Sequence, residues 1–124
     1  FSYLYARLAG RAAVSVVPGI SSLTACAAVA GGALALGNQV LAVIPGPLPE
    51  TEIAARLSQG GAAAIVKVGR HLAKIRRVLR AAGLEAQAHY VEHATLASQR
   101  VLPLAEMGEE SAPYFSMILV RGAG

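Results

Sequence analysis

The sequence holds no tryptophan and a single cysteine, Cys26. A lone cysteine cannot close an intrachain disulfide, and it leaves no second thiolate for a zinc site. Cys26 lies among small apolar residues, so it is expected to behave as a buried hydrophobe, a usage that fits a reducing, cytoplasmic compartment. No apolar run is long enough to span a bilayer, because Gly31-Gly32 and Gly37-Asn38 break the longest candidate. The start shows no basic stretch followed by an apolar block and a cleavage site, so no secretory leader is expected. Neither GxSxG nor GxxxxGK[ST] occurs, which removes the usual signatures of a nucleophile elbow and a P-loop. The three histidines, His71, His89 and His93, show neither HxH nor HExxH spacing, and no metal site is expected from them.

Charge is also scarce. Only 15% of residues are charged and 55% are apolar, which excludes a disordered chain. The 124 residues suffice for one domain with a real core but are few for a two-lobed enzyme. The chain opens on Phe rather than Met, and is read as a piece or processed form of a longer protein. The net charge of +4 favours anionic partners without naming one.

The most informative stretch is VVPGISSLTACAAVAGG, Val16 to Gly32. The apolar run Val14 to Val17 predicts a short buried strand, and Pro18-Gly19 stops it and turns the chain. Ser21 and Ser22 can each offer a hydroxyl to the first turn of a helix running to Ala30. That helix is small and uncharged, so its backbone can lie close to a sheet, a helix or a ligand. Two readings stay open: an ordinary strand–turn–helix in a core, or a turn that presents polar groups to a small ligand.

Upstream, Phe1 to Ala9 predicts a helix. Downstream, Val40 to Ile44 reads as a buried strand ended by the prolines of Pro45 to Pro49. A helix from about Glu50 to Ser58 and a strand over Ala62 to Val68 follow. Gly69 then turns into a basic helix from about Arg70 to Ala82, with Leu72, Ile75, Val78 and Leu79 on one face. Ala86 to Glu92 is a further strand, Gln99 to Leu104 extends alongside, and Tyr114 to Val120 is the last. This order predicts an α/β fold with a mixed sheet of roughly five strands, parallel first and antiparallel later, flanked by helices.

The basic stretch RHLAKIRRVLR reads either as an anion-gripping surface or as the solvated face of an amphipathic helix; no RNA-recognition signature accompanies it. Arg70 and His71 stand apart, because they sit where a strand meets a helix, the end at which open α/β sheets gather ligands. Glu92-His93, at another strand end, reads either as an acid–base pair or as a pair that holds a loop.

Taken in order, VVPGISSLTACAAVAG, VIPGPLPE, AIVKVGRHLAKIRRVLRAAGL, YVEHAT and APYFSMILV resemble the C-terminal half of the tetrapyrrole methylases. Among them they most resemble the branch that methylates carbon 20 of precorrin-2 in cobalamin synthesis. The resemblance implies two α/β lobes, a homodimer, and S-adenosyl-L-methionine folded in the cleft between lobes. It places Ser21 and Ser22, Val68 and Ala94 against that cofactor. It also implies methyl transfer by approximation with no catalytic general base, and a tetrapyrrole whose carboxylates Arg70 and His71 could meet. The family's GxGxGD-type loop and GDP motif are missing, so the chain is expected to be the C-terminal lobe, residues 1–124, without its N-terminal lobe and inactive alone. Neither nucleic acid nor membrane is expected as a partner. The rival readings are another tetrapyrrole methylase (one acting on a cobalt-bearing substrate included), a relative that modifies ribosomal RNA or a diphthamide precursor, a basic α/β module that binds nucleic acid, and a domain that self-associates through exposed apolar surface.

Overall fold

Strand alternation sorts the apolar residues onto two faces, and both faces are covered. In the computed structural model, which describes residues 1–108 and 110–122, five strands form one sheet. They are β1 (Leu41–Pro45), β2 (Ala62–Val66), β3 (Ala88–Glu92), β4 (Arg100–Pro103) and β5 (Ser116–Val120), ordered β1-β2-β5-β3-β4. β1 and β2 are parallel, with Ile44 opposite Ile65. β5 runs antiparallel to β2 and β3, and β4 antiparallel to β3. The mixed, five-stranded α/β sheet expected from the sequence is present. Its last strand is not at an edge but in the middle.

Four α-helices accompany the sheet: α1 (Ser2–Leu8), α2 (Ser22–Val29), α3 (Glu50–Leu57) and α4 (Leu72–Ala81). The spacing of Leu72, Ile75, Val78 and Leu79 puts all four on one side of α4, and all four are buried. With Ile53 and Leu57 of α3 they pack on Ile44, Ile65, Tyr90 and Ile118, forming the larger core. On the opposite face Cys26 and Ala27 of α2 cover Ala64, Val91, Met117 and Leu119. Small residues meet small residues there, and Cys26 is indeed a buried free thiol whose pKa burial pushes up.

The cations of α4 are engaged within the chain. Lys74 Nζ donates to the Leu48 carbonyl at 2.6 Å, Arg77 pairs with Glu50 at 2.6 Å, and Arg80 pairs with Glu85 at 2.9 Å. These contacts fit the solvated-face reading of the helix. Among the described residues no helix is long and apolar enough to cross a membrane.

The strand expected at Val14 to Val17 is not formed. Residues 12–20 link α1 to α2 without regular structure, and Val17 is 86% exposed. A short apolar run says nothing about which neighbour completes its ladder, and no strand of this sheet takes it as one. Other boundaries move by at most two residues. β2 stops at Val66 because Lys67 adopts a left-handed φ of 56°, which no regular strand can continue. Gly69–His71 forms a 3-10 turn before α4, and Glu85–Gln87 forms another before β3.

Candidate functional site

The carboxyl ends of β2 and β3 lie on either side of the start of β5, and α2 begins beside them. Together they enclose a cavity of about 610 Å³, within the range of sites for small organic ligands. Ile20, Ser22, Ala25 and Cys26 line it from α2 and the link before it. Val66 and Lys67 line it from the end of β2, His93 to Leu96 from the turn after β3, and Tyr114 to Met117 from the start of β5. The lining is mainly apolar. It includes one lysine and no carboxylate.

The backbone around this cavity is under constraint. Among the described residues three non-glycines have a left-handed φ: Lys67 at 56°, His93 at 49° and Thr95 at 67°. All three line the cavity. Such conformations each cost on the order of 1 kcal/mol and persist only where neighbours enforce them. Here the enforcing bonds are visible. Gly46 N donates to Val66 O at 2.7 Å, His93 N to Phe115 O at 2.9 Å, and Leu96 N to His93 O at 2.9 Å. The Gln99 side chain accepts from Thr95 N at 2.7 Å.

Behind the turn after β3 sits a buried polar group. The Tyr90 hydroxyl donates to Glu92 Oε2 at 2.5 Å, and Arg100 Nη1 donates to Glu92 Oε1 at 3.3 Å. Burial pushes the Tyr90 hydroxyl pKa well above its usual value, and the bond to Glu92 and its charge push it further. Tyr90 therefore stays a proton donor. Glu92 turns to Tyr90 and Arg100, whereas His93 lies edge-on to Phe115 with ring centres 6.4 Å apart. Of the two readings of Glu92-His93, these contacts fit the one that holds a loop.

The residues singled out in the sequence separate in space. Ser22 and Ala94 line the cavity. Ser21 caps α2: its Oγ accepts from Thr24 N at 3.4 Å, and its carbonyl accepts from Thr24 Oγ1 at 3.0 Å. Val68 is wholly buried in the core beneath α4, and its carbonyl accepts from His71 N. Its neighbours Val66 and Lys67 are the ones that reach the cavity from this strand end. Arg70 and His71 lie on the 3-10 turn outside the lining, Arg70 exposed and His71 half-buried. Partial desolvation lowers the His71 pKa, with Lys74 and Arg70 adding to it. His89 and His93 are four residues apart, a spacing that would pair them on a helix; here His89 lies on β3 and His93 in the left-handed turn after it.

Sequence reasoning did not single out Lys67, Tyr114 or Phe115. Tyr114 and Phe115 lie just before β5 and not on it, so strand alternation gave no sign of them. Because the Ser21 hydroxyl is occupied by its cap, Ser21→Ala should lower stability by about 0.5–1 kcal/mol. Urea unfolding of the two proteins checks this.

A model of the Tetrapyrrole (Corrin/Porphyrin) Methylases matches residues 1–108. The chain is 46% identical over 122 residues to a precorrin-2 C(20)-methyltransferase of Sinorhizobium sp, covering 98% of this chain and 50% of that protein. It is 39% identical over 110 residues to a cobalt-precorrin-2 C(20)-methyltransferase of Salmonella typhimurium, covering 87% of this chain and 46% of that one. The chain thus spans about half the length of these relatives. Its fold matches the methyltransferase CobJ with a TM-score of 0.72 at 20% identity, over 98% of this chain and 58% of the other. It also matches a uroporphyrin-III C-methyl transferase from Thermus thermophilus complexed with S-adenyl homocysteine, with a TM-score of 0.60 at 23% identity, over 96% and 57% of the two chains. With 108 of its residues under the family model, this chain belongs to the tetrapyrrole methylases.

Proposed function

We propose that this chain is the C-terminal lobe of a two-lobed, S-adenosylmethionine-dependent enzyme that methylates carbon 20 of precorrin-2, and that its cavity is this lobe's share of the cofactor cleft. One observation carries the reading. The constrained turns at the ends of β2 and β3, the start of α2 and the start of β5 converge on one mainly apolar cavity of about 610 Å³. Ser22 and Ala94, two of the four positions matched to cofactor contacts, line it. Its volume and mainly apolar lining suit the cofactor, which when bound supplies a methyl group already activated on a sulfonium.

The chain's own residues then have positioning work. Ala25, Cys26 and Val66 keep water from the site and lower the local dielectric. The left-handed turns at Lys67 and His93 fix where backbone groups point, so their orientation need not be found during reaction. Lys67 supplies a positive charge for a carboxylate of cofactor or substrate. Arg70 and His71 lie outside the lining, where they can meet carboxylates of a tetrapyrrole seated over the cleft. The missing lobe completes the cleft, and the working enzyme is a homodimer.

The test is calorimetric binding of S-adenosylhomocysteine to this chain and to the longest natural polypeptide that carries it. The longer protein should bind, and this chain at least about tenfold more weakly. Absence of binding to both would remove the methyltransferase reading.

A further inference from the structure

The cavity opens onto two rings that the core leaves uncovered. Tyr114 is 85% exposed and Phe115 65%. They meet edge to face at 5.2 Å, and His93 stands edge-on to Phe115. The two rings stand nearly at right angles, so a ligand that meets both packs on the face of one and the edge of the other. Ile20 and Leu96, both exposed, extend the same wall. An apolar patch continuous with a cavity is the mark of a surface covered in function.

Within the cavity the lining changes character. Ser22, Ala25, Cys26 and Ala94 are small and supply no ring. The two rings belong to the solvent-exposed part of the lining. The lining also carries Lys67 and no acidic residue, so its charge complements an anion. The surface therefore suits an anionic ligand with a flat, apolar ring system and carboxylates at its rim.

We propose that Tyr114 and Phe115 form the aromatic platform against which the tetrapyrrole macrocycle lies during methyl transfer, face-on to one ring and against the edge of the other, with Lys67 facing its peripheral carboxylates. The inference rests on the methyltransferase reading above and assigns the substrate side of that site. Stacking of a planar ring system on aromatic side chains is strong and tolerant of what the ring carries at its edge. It can seat a macrocycle while leaving the reacting carbon free to approach the methyl donor.

The test uses the longest natural polypeptide that carries this chain, with Tyr114→Leu/Phe115→Leu as the main variant and Tyr114→Phe/Phe115→Tyr as the ring-preserving control. Both residues are exposed, so the folded state should survive; thermal unfolding checks that it does. The KM for precorrin-2 should rise about tenfold in the leucine variant and return to within about twofold of the parent in the control. The dissociation constant of S-adenosylhomocysteine should change less than about twofold in both. An unchanged KM overturns the platform. A parallel loss of S-adenosylhomocysteine affinity overturns it too, because the rings would then be holding adenine. Both outcomes presuppose that the parent binds S-adenosylhomocysteine, so they are distinct from failure of the methyltransferase reading.

Discussion

Replacing Glu92 with Ala should destabilise the protein by about 1–3 kcal/mol, the cost of depriving a buried donor of its charged acceptor. Tyr90 is fully buried, and its hydroxyl donates to the Glu92 carboxylate at 2.5 Å. Without that carboxylate the hydroxyl keeps the neutral Ser116 side chain as its neighbouring polar group, a weaker acceptor already donating to the Pro113 carbonyl. The partly exposed Arg100 loses an ion pair but can turn to water, so its share is small. Denaturant unfolding measures the total. A double-mutant cycle identifies its source: Tyr90→Phe/Glu92→Ala removes both partners and should be more stable than Glu92→Ala alone. If the double variant is no better, the loss comes from packing and not from the hydroxyl deprived of its charged acceptor.

Gly46→Ala should act on the site more than on the fold. An added Cβ at Gly46 would stand 2.8 Å from the Lys67 carbonyl oxygen and 3.2 Å from that of Val66, with Ile75 Cδ1 at 3.0 Å. The isoleucine tip can move. The two carbonyls belong to the turn that places Lys67 at the cavity, and Val66 O is also the acceptor for Gly46 N. Relieving the clash must shift that turn, at a cost of about 1–3 kcal/mol. The affinity of the longest natural polypeptide for S-adenosylhomocysteine should fall about tenfold or more. Calorimetry beside a thermal melt separates the two effects. Undiminished affinity would mean that the turn after β2 does not shape the cofactor site.

These two residues show why the fold was more legible than the site. The apolar face of α4 followed from spacing alone, because burial of Leu72, Ile75, Val78 and Leu79 depends on a period that the sequence displays. Likewise the small residues of α2 announced a helix able to lie close to the sheet. The left-handed turns at Lys67, His93 and Thr95 announce nothing, because each uses a non-glycine, and the first two are flanked by bonds from distant parts of the chain. Val68 shows the same limit. A strand end can be located from sequence, but which of its last residues faces a cavity depends on where the ladder stops, and Lys67 stops it at Val66. The run Val14 to Val17 differs from expectation for a related reason, since its sequence displays hydrophobicity but not whether a neighbouring strand stands beside it.

The insertion of β5 has a consequence for how the protein comes into being. A ribosome makes β1 and β2 early, β3 and β4 later, and the strand that joins the two halves last of all. β3 and β4 can pair as soon as both have emerged, across a short connection. β2 and β3 have no hydrogen bond to share until Ser116 to Val120 arrives between them. Until then the growing chain carries two unzipped sheet edges lined by Ala64, Ile65, Tyr90 and Val91, the kind of backbone surface that captures other strands. Completion of the sheet is therefore a late, non-local event, slow by its loop-closure entropy and exposed to misassembly in the interval.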